Sequence, residues 1–180
     1  MRIVGGKNRS RLIEFPHDAN ITRPTKDVVR EGLFNALSYD VIDKDVLDLF
    51  AGSGSLGFEA LSRGARSVVF VDNDKTAVQI IKKNANTLAE TNITILNADY
   101  LKALNEFKNI GKTFDIVFLD PPYKMEIIDE IIDYLLDAQM LNKNAIIVIE
   151  TDYQLKDNDI RFTKIKSYKY GRTFVTIKRR

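Results

Sequence analysis

Five short segments, residues 46–50, 67–72, 93–96, 114–120 and 145–150, are apolar at almost every position, and stretches of helical spacing separate most of them. Strands with no polar face are buried on both sides, as in a parallel sheet covered by helices. The spacing predicts a short helix over residues 57–63, with Gly64 suited to the left-handed position that ends it. A second helix spans 75–89, with Ala77, Ile80, Ile81, Ala85 and Leu88 on one face. A third spans 125–141, with Ile128, Ile131, Ile132, Leu135 and Leu136 along one side. Helices between parallel strands are right-handed crossovers, so the expected class is α/β with a doubly wound sheet. The pattern then changes: residues 161–170 and 173–178 read as strands joined at Gly171-Arg172, a connection short enough only for an antiparallel pair. The sheet is therefore expected to be mostly parallel and to end in an antiparallel hairpin.

A preface comes before the first parallel strand. Residues 2–4 and 12–15 can pair around Gly5-Gly6, and residues 26–37 carry Val29, Leu33 and Leu37 at helical spacing. Thr25 suits the N-cap of that helix and Asp27 its first turn. The 180 residues fit one domain, residues 1–40 being an extension and 41–180 the core. No apolar run reaches the length of a membrane span, and the first residues lack the apolar stretch of a signal peptide, so no membrane partner is expected. The absence of cysteine excludes disulfides, thiolate metal sites and thiol nucleophiles. Neither metal nor triad chemistry is visible around His17, and no metal is expected.

Residues 48–57 carry the first functional signal. Gly52, Gly54 and Gly57 follow a strand and open a helix with the G-x-G-x-x-G spacing, and Asp72 ends the next strand about twenty residues on, where an acid grips ribose hydroxyls. Dinucleotides and S-adenosylmethionine both fit this much. Asp48, inside the first strand, separates them, since a carboxylate there repels a pyrophosphate and favours a ligand carrying a sulfonium and an ammonium. S-adenosylmethionine is therefore favoured. Asp99, after the third strand, suits an acceptor for the adenine amino group and equally a helix N-cap.

The stronger signal is Asp120-Pro121-Pro122-Tyr123, directly after the fourth strand. Ligands of open α/β sheets bind at the carboxyl ends of the strands. Two prolines stiffen the turn and remove two donors, leaving carbonyls and the Asp120 carboxylate as acceptors. An exocyclic base amine is a pair of donors with a delocalised lone pair, and two acceptors can orient it towards an electrophilic methyl. Tyr123 offers a surface on which an extruded base can stack. Phe70, Phe114 and Phe118 lie on strands and read as core.

Charge is segregated. Residues 1–30 hold seven Lys and Arg against three acids, and residues 161–180 hold eight against none, in a chain of net charge +2. Basic ends suit a phosphate backbone, and they equally suit solvated tails.

These motifs resemble the class I S-adenosylmethionine-dependent methyltransferases, in which Asp-Pro-Pro-Tyr marks enzymes acting on exocyclic base amines. The opening residues 1–11, Arg23-Pro-Thr-Lys-Asp27, residues 30–35 and the closing Tyr170-Gly-Arg-Thr173 resemble the 16S rRNA guanine-N(2)-methyltransferase family of the RsmD type, over essentially the whole chain. Ser10 stands where that family more often has glycine. The resemblance implies a Rossmann-like fold and a bacterial cytoplasmic enzyme. It implies methylation of one guanine of 16S rRNA in the small ribosomal subunit, and nothing in the sequence suggests more than a monomer. It implies cofactor contacts from Asp48, Ala51, Gly52, Ser53, Gly54, Asp72, Asn73 and Asp99, and from Arg23 and Thr25 near the methionine end, Arg23 being alternatively a phosphate contact. It puts catalysis on Asp120, Pro121, Pro122 and Tyr123. Lys7, Arg9, Arg11 and Arg172 are candidate RNA contacts or ordinary surface charges. A DNA adenine-N6 methyltransferase, an NAD-dependent oxidoreductase and a non-catalytic RNA-binding protein are the rival readings.

Overall fold

The computed structural model describes residues 1–15, 27–122, 127–155 and 158–180. Its elements run α1 (Asp27–Leu37), a 3-10 turn (Ser38–Val41), β1 (Asp45–Asp48), α2 (Ser55–Ser62), β2 (Ser67–Asp72), α3 (Lys75–Leu88), β3 (Ile93–Asn97), α4 (Tyr100–Asn109), β4 (Phe114–Leu119), α5 (Ile128–Asp137), β5 (Leu141–Thr151), β6 (Lys164–Tyr170) and β7 (Thr173–Arg179). The seven strands form one sheet in the order β3-β2-β1-β4-β5-β7-β6. The first five are parallel, and β7 lies between β5 and β6, antiparallel to both. The chain order reverses on either side of β1, which opens a crevice above the β1/β4 boundary.

Strand alternation sorts the side chains onto two faces. Val46, Val68, Phe70, Ile116, Phe118, Ile146 and Val148 face a core built with α1, α2 and α3. Leu47, Val69, Val71, Val117, Ile147 and Ile149 face a second core built with α4 and α5. The apolar sides expected for α1 and α3 are buried, as are Phe70, Phe114 and Phe118. On α5, Ile128, Ile131, Ile132 and Leu135 are buried while Leu136 is half-buried.

Some boundaries differ from the sequence expectation. The helix expected to reach residue 141 stops at Asp137, because Gln139 turns to a left-handed φ of 53° and Leu141 already begins β5. β5 starts earlier than its apolar run, with a register irregularity opposite Phe114–Ile116 and Asn144 at φ 63°. β1 ends at Asp48, two residues short, as the chain enters the glycine turn. Of helix α4 the sequence marks only the N-cap candidate Asp99 and no span, because its buried residues Ala103, Leu104 and Phe107 make an apolar face only about one turn long.

The opening hairpin contracts to a single bridge, Arg2↔Leu12, flanked by Ile3 N–H to Arg11 O (3.0 Å) and Ser10 N–H to Ile3 O (2.9 Å). The turn between is held by α2 instead. Lys7 N–H donates to Ser62 O (2.8 Å), Asn8 N–H to Ser62 Oγ (2.9 Å) and Ser62 Oγ to Gly5 O (2.6 Å). Gly6 lies so close that a Cβ there would stand 1.8 Å from the Ser62 carbonyl oxygen.

Ser10 takes a φ of 68°, a left-handed conformation that costs a residue with a Cβ and suits glycine. Ser10→Gly is expected to raise stability by about 0.5–1 kcal/mol, read as a higher denaturant midpoint with unchanged slope.

Candidate active site

The glycine turn is shaped by carboxylates from two neighbouring strands. Asp72 Oδ2 accepts the Gly52 N–H at 2.7 Å, and its Oδ1 accepts the Asp74 N–H at 2.8 Å. Asp48, only 2% exposed, accepts the Gly57 N–H at 3.0 Å through Oδ2. The loop 49–54 is thereby drawn back over the carboxyl ends of β1 and β2. Gly52 adopts φ 54° and a Cβ there would meet nothing within 4 Å, so its outer side is open space. Gly54 adopts φ 77° at the N-cap of α2. Gly57 is required for a different reason: a Cβ would stand 2.2 Å from Phe70 Cε1 and 2.8 Å from Val68 Cγ1, against a ring that packs 4.8 Å from Phe58. Helix α2 can approach β2 this closely only without that carbon.

Sequence reasoning missed two asparagines that brace this turn. Asn84 is buried on the inner side of α3. Its Nδ2 donates to Ser53 O (3.0 Å) and Glu14 O (2.9 Å), and its Oδ1 accepts the Glu14 N–H (2.7 Å). Asn97, at the end of β3, donates to the carbonyls of Asp72 and Asn73, both at 3.0 Å. A polar residue among the apolar positions of α3 is the one signal that could have found Asn84.

Asp99 is the N-cap of α4, accepting the Leu101 N–H at 2.9 Å. Phe50 and Tyr100 lie near it with ring centroids 5.6 Å apart. Asp120 leaves the end of β4, with Pro121 buried and Pro122 exposed. Arg23, Thr25, His17 and Tyr123 lie outside the described residues.

The side chains of Asp72, Asp48 and Asp120 share the α1 face of the sheet, by alternation with Phe70, Val46 and Phe118. Their electrostatics follow. Burial pushes the Asp48 carboxyl up to about 7, and the charge of Asp72 adds to the rise against the Gly57 hydrogen bond. Asp72 is raised by burial, which outweighs the hydrogen bonds it accepts from Asp74 and Gly52. Asp120 is raised well above the usual carboxylate range by burial, then by the charges of Glu150 and Asp48. Such a crevice disfavours a phosphate and favours a cation.

The four candidate RNA contacts divide. Lys7, although its side chain is 61% exposed, pairs with the buried Glu90 at 2.9 Å. Arg11 donates to the Thr87 carbonyl and, at 3.5 Å, to the Leu88 carbonyl at the end of α3. Both therefore fasten the N-terminal segment. Arg9 is exposed on the turn, and Arg172 is exposed at the tip of the β6–β7 hairpin, which lies at the carboxyl-end edge because Thr151 pairs with Phe174.

Residues 1–179 match the protein family described as Conserved hypothetical protein 95. The chain belongs to that family. Ribosomal RNA small subunit methyltransferase D of Haemophilus influenzae is 40% identical over 154 residues, covering 84% of this chain and 79% of the relative. The Escherichia coli K12 protein of the same name is 38% identical, covering 86% and 76%. A solved Escherichia coli structure, yhhF, superposes with a TM-score of 0.87 at 33% identity, over 100% of this chain and 97% of that one. The Thermus thermophilus 16S rRNA N2 G1207 methyltransferase, solved with AdoMet and guanosine, shares the fold at a TM-score of 0.70 and 24% identity, over 91% of this chain and 45% of that one.

Two outcomes test the site. Gly57→Ala is expected to cost about 1–3 kcal/mol, since Phe70 cannot retreat without displacing its neighbours; urea denaturation measures it. Between about pH 4 and pH 7 the unfolded chain has released the Asp48 proton while the folded chain retains it, so stability falls as pH rises across that window. Asp48→Asn keeps an acceptor for Gly57 and is expected to flatten this decline, read from denaturation curves collected across the range.

Proposed function

We propose that this protein transfers a methyl group from S-adenosylmethionine to the exocyclic N2 amine of a guanine in bacterial 16S rRNA. The observation that carries the reading is the row of carboxylates, Asp72, Asp48 and Asp120, beside an open glycine turn at the switch point of the sheet. Its charge opposes a dinucleotide and suits a ligand bearing a sulfonium and an ammonium. The names of the relatives supply the substrate class.

The chemistry that the cofactor brings is an activated methyl on positive sulfur. The chain's own residues do the rest. Asp72, Asn73 and Asn97 line the ribose side, Ala51, Gly52, Ser53 and Gly54 form the floor, and Asp99 with Phe50 and Tyr100 borders the adenine side. Arg23 and Thr25 are assigned to the methionine end. Asp120 and the carbonyls stiffened by Pro121 and Pro122 accept the two amine hydrogens, so that the nitrogen lone pair points at the methyl carbon. Tyr123 stacks on the extruded base. As the N–C bond forms, the C–S bond breaks with its electrons going to sulfur, and nitrogen sheds a proton to the Asp120 carboxylate.

The substrate is the assembled small-subunit particle, bound by a cytoplasmic monomer. Arg9 and Arg172, exposed on turns, are the foremost basic contacts with RNA, and Lys7 and Arg11 lie exposed beside Arg9 while also fastening the arm. Among the described residues no helix is long and apolar enough to cross a membrane.

Labelled S-adenosylmethionine offered with small-subunit particles, naked rRNA and duplex DNA tests the proposal. Label is expected on guanine N2 of 16S rRNA; label confined to DNA overturns it. Asp120→Ala is expected to lower kcat by about 100-fold or more, by loss of orientation and of charge stabilisation.

A further inference from the structure

Glu150 is a buried acid, 6% exposed, that the reaction described above does not use. It lies near the end of β5 on the same face as Val148, and Asp120 follows β4 on the same face as Phe118; both apolar residues belong to the α1-side core. Leu119 pairs with Ile149. The next step of that parallel register sets Asp120 beside Glu150, across the spacing of adjacent strands, about 4.8 Å. On its other flank Glu150 is paired with an apolar residue, Val175 of β7.

Helix α1 supplies the third member. Its C-terminal end lies over the amino-end edge of the sheet, where Arg179 Nη2 donates to Ala36 O at 3.5 Å. Phe34 packs on Phe118 at 5.8 Å between centroids. Gly32 meets the Tyr170 ring, at the opposite edge. One turn before Phe34, Arg30 is therefore carried towards the carboxyl-end edge, with 0% exposure, held by Asp27 at 2.8 Å and by the Arg2 carbonyl. Its guanidinium interacts electrostatically first with Asp27, then with Glu59 of α2 and with Glu150.

Resting on the methyltransferase reading, we propose that Glu150 is a positioning residue for methyl transfer: stabilised as an anion by Arg30, it stands beside Asp120 and makes that carboxylate a stronger acceptor for the amine hydrogens. Two adjacent carboxyls, one of them buried, do not both ionise freely. The cation on α1 favours the charge on Glu150, so the repulsion falls on Asp120. Among the described residues, the charged groups in this field are Asp48 from β1, Glu150 from β5, Arg30 and its ion-pair partner Asp27 from α1, and Glu59 from α2. A base made stronger in this way accepts the proton from nitrogen more readily.

The test compares wild type, Glu150→Gln and Glu150→Asp in kcat–pH profiles on small-subunit particles, with calorimetric S-adenosylmethionine binding and a carbon-13 NMR titration of the Asp120 carboxyl. For Glu150→Gln the acid limb is expected to move down by about one pH unit, with kcat at pH 8 about tenfold lower and cofactor Kd unchanged within about twofold. Glu150→Asp retains the charge and is expected to keep the limb near its wild-type position. An active wild type whose acid limb and Asp120 titration do not move in Glu150→Gln overturns the role of Glu150, including when the variant merely melts earlier. If the wild type methylates nothing, the functional reading fails, and the NMR titration alone still decides whether Glu150 sets the proton affinity of Asp120.

Discussion

The site depends on two backbone N–H groups held by carboxylates from adjacent strands. Gly52 is tied to Asp72 and Gly57 to Asp48, so the turn between them has both ends fixed to the sheet. The Gly57 bond answers a donor that the first turn of α2 cannot satisfy within itself, and the Gly52 bond ties down the turn that precedes the helix. The acids that shape the loop are also the acids that give the crevice its sign, and geometry and electrostatics here have one cause.

Burying acids side by side is unfavourable, and Asp48, Asp72 and Asp120 are all raised by burial. The fold tolerates this because stability is held elsewhere, in two apolar layers covering both faces of the sheet. A cationic ligand relieves the repulsion among these acids, which is how a modest number of contacts can give a cofactor useful affinity.

Much of this was legible in the chain. Strands with no polar face announced a covered parallel sheet, and the glycine spacing with Asp48, Asp72 and Asp120 placed the crevice. What escaped was information that only neighbours across the fold supply. Helix α4 has too short an apolar face to stand out. Gln139 and Asn144 enter the left-handed region without glycine, so the end of α5 and the start of β5 could not be read. The position of β7 between β5 and β6 is a pairing choice that hairpin spacing leaves open, since either strand could lie against β5. Lys7 and Arg11 look like free basic residues in sequence, and only the ends of α2 and α3 beside them reveal that they are fasteners. Glu150 reads as the polar end of a strand until its register with Asp120 is known.

The amide of Asn84 joins two parts of the chain that are remote in sequence, holding Glu14 by both backbone groups and Ser53 by its carbonyl. The docking of the N-terminal arm and the ordering of the glycine loop thus share one side chain. Thermodynamic linkage makes any coupling through it reciprocal: the free energy that docking of the arm lends to the order of the glycine loop is the free energy that an ordered loop lends back to the arm. Amide exchange at Glu14 is the place where occupancy some distance away would register.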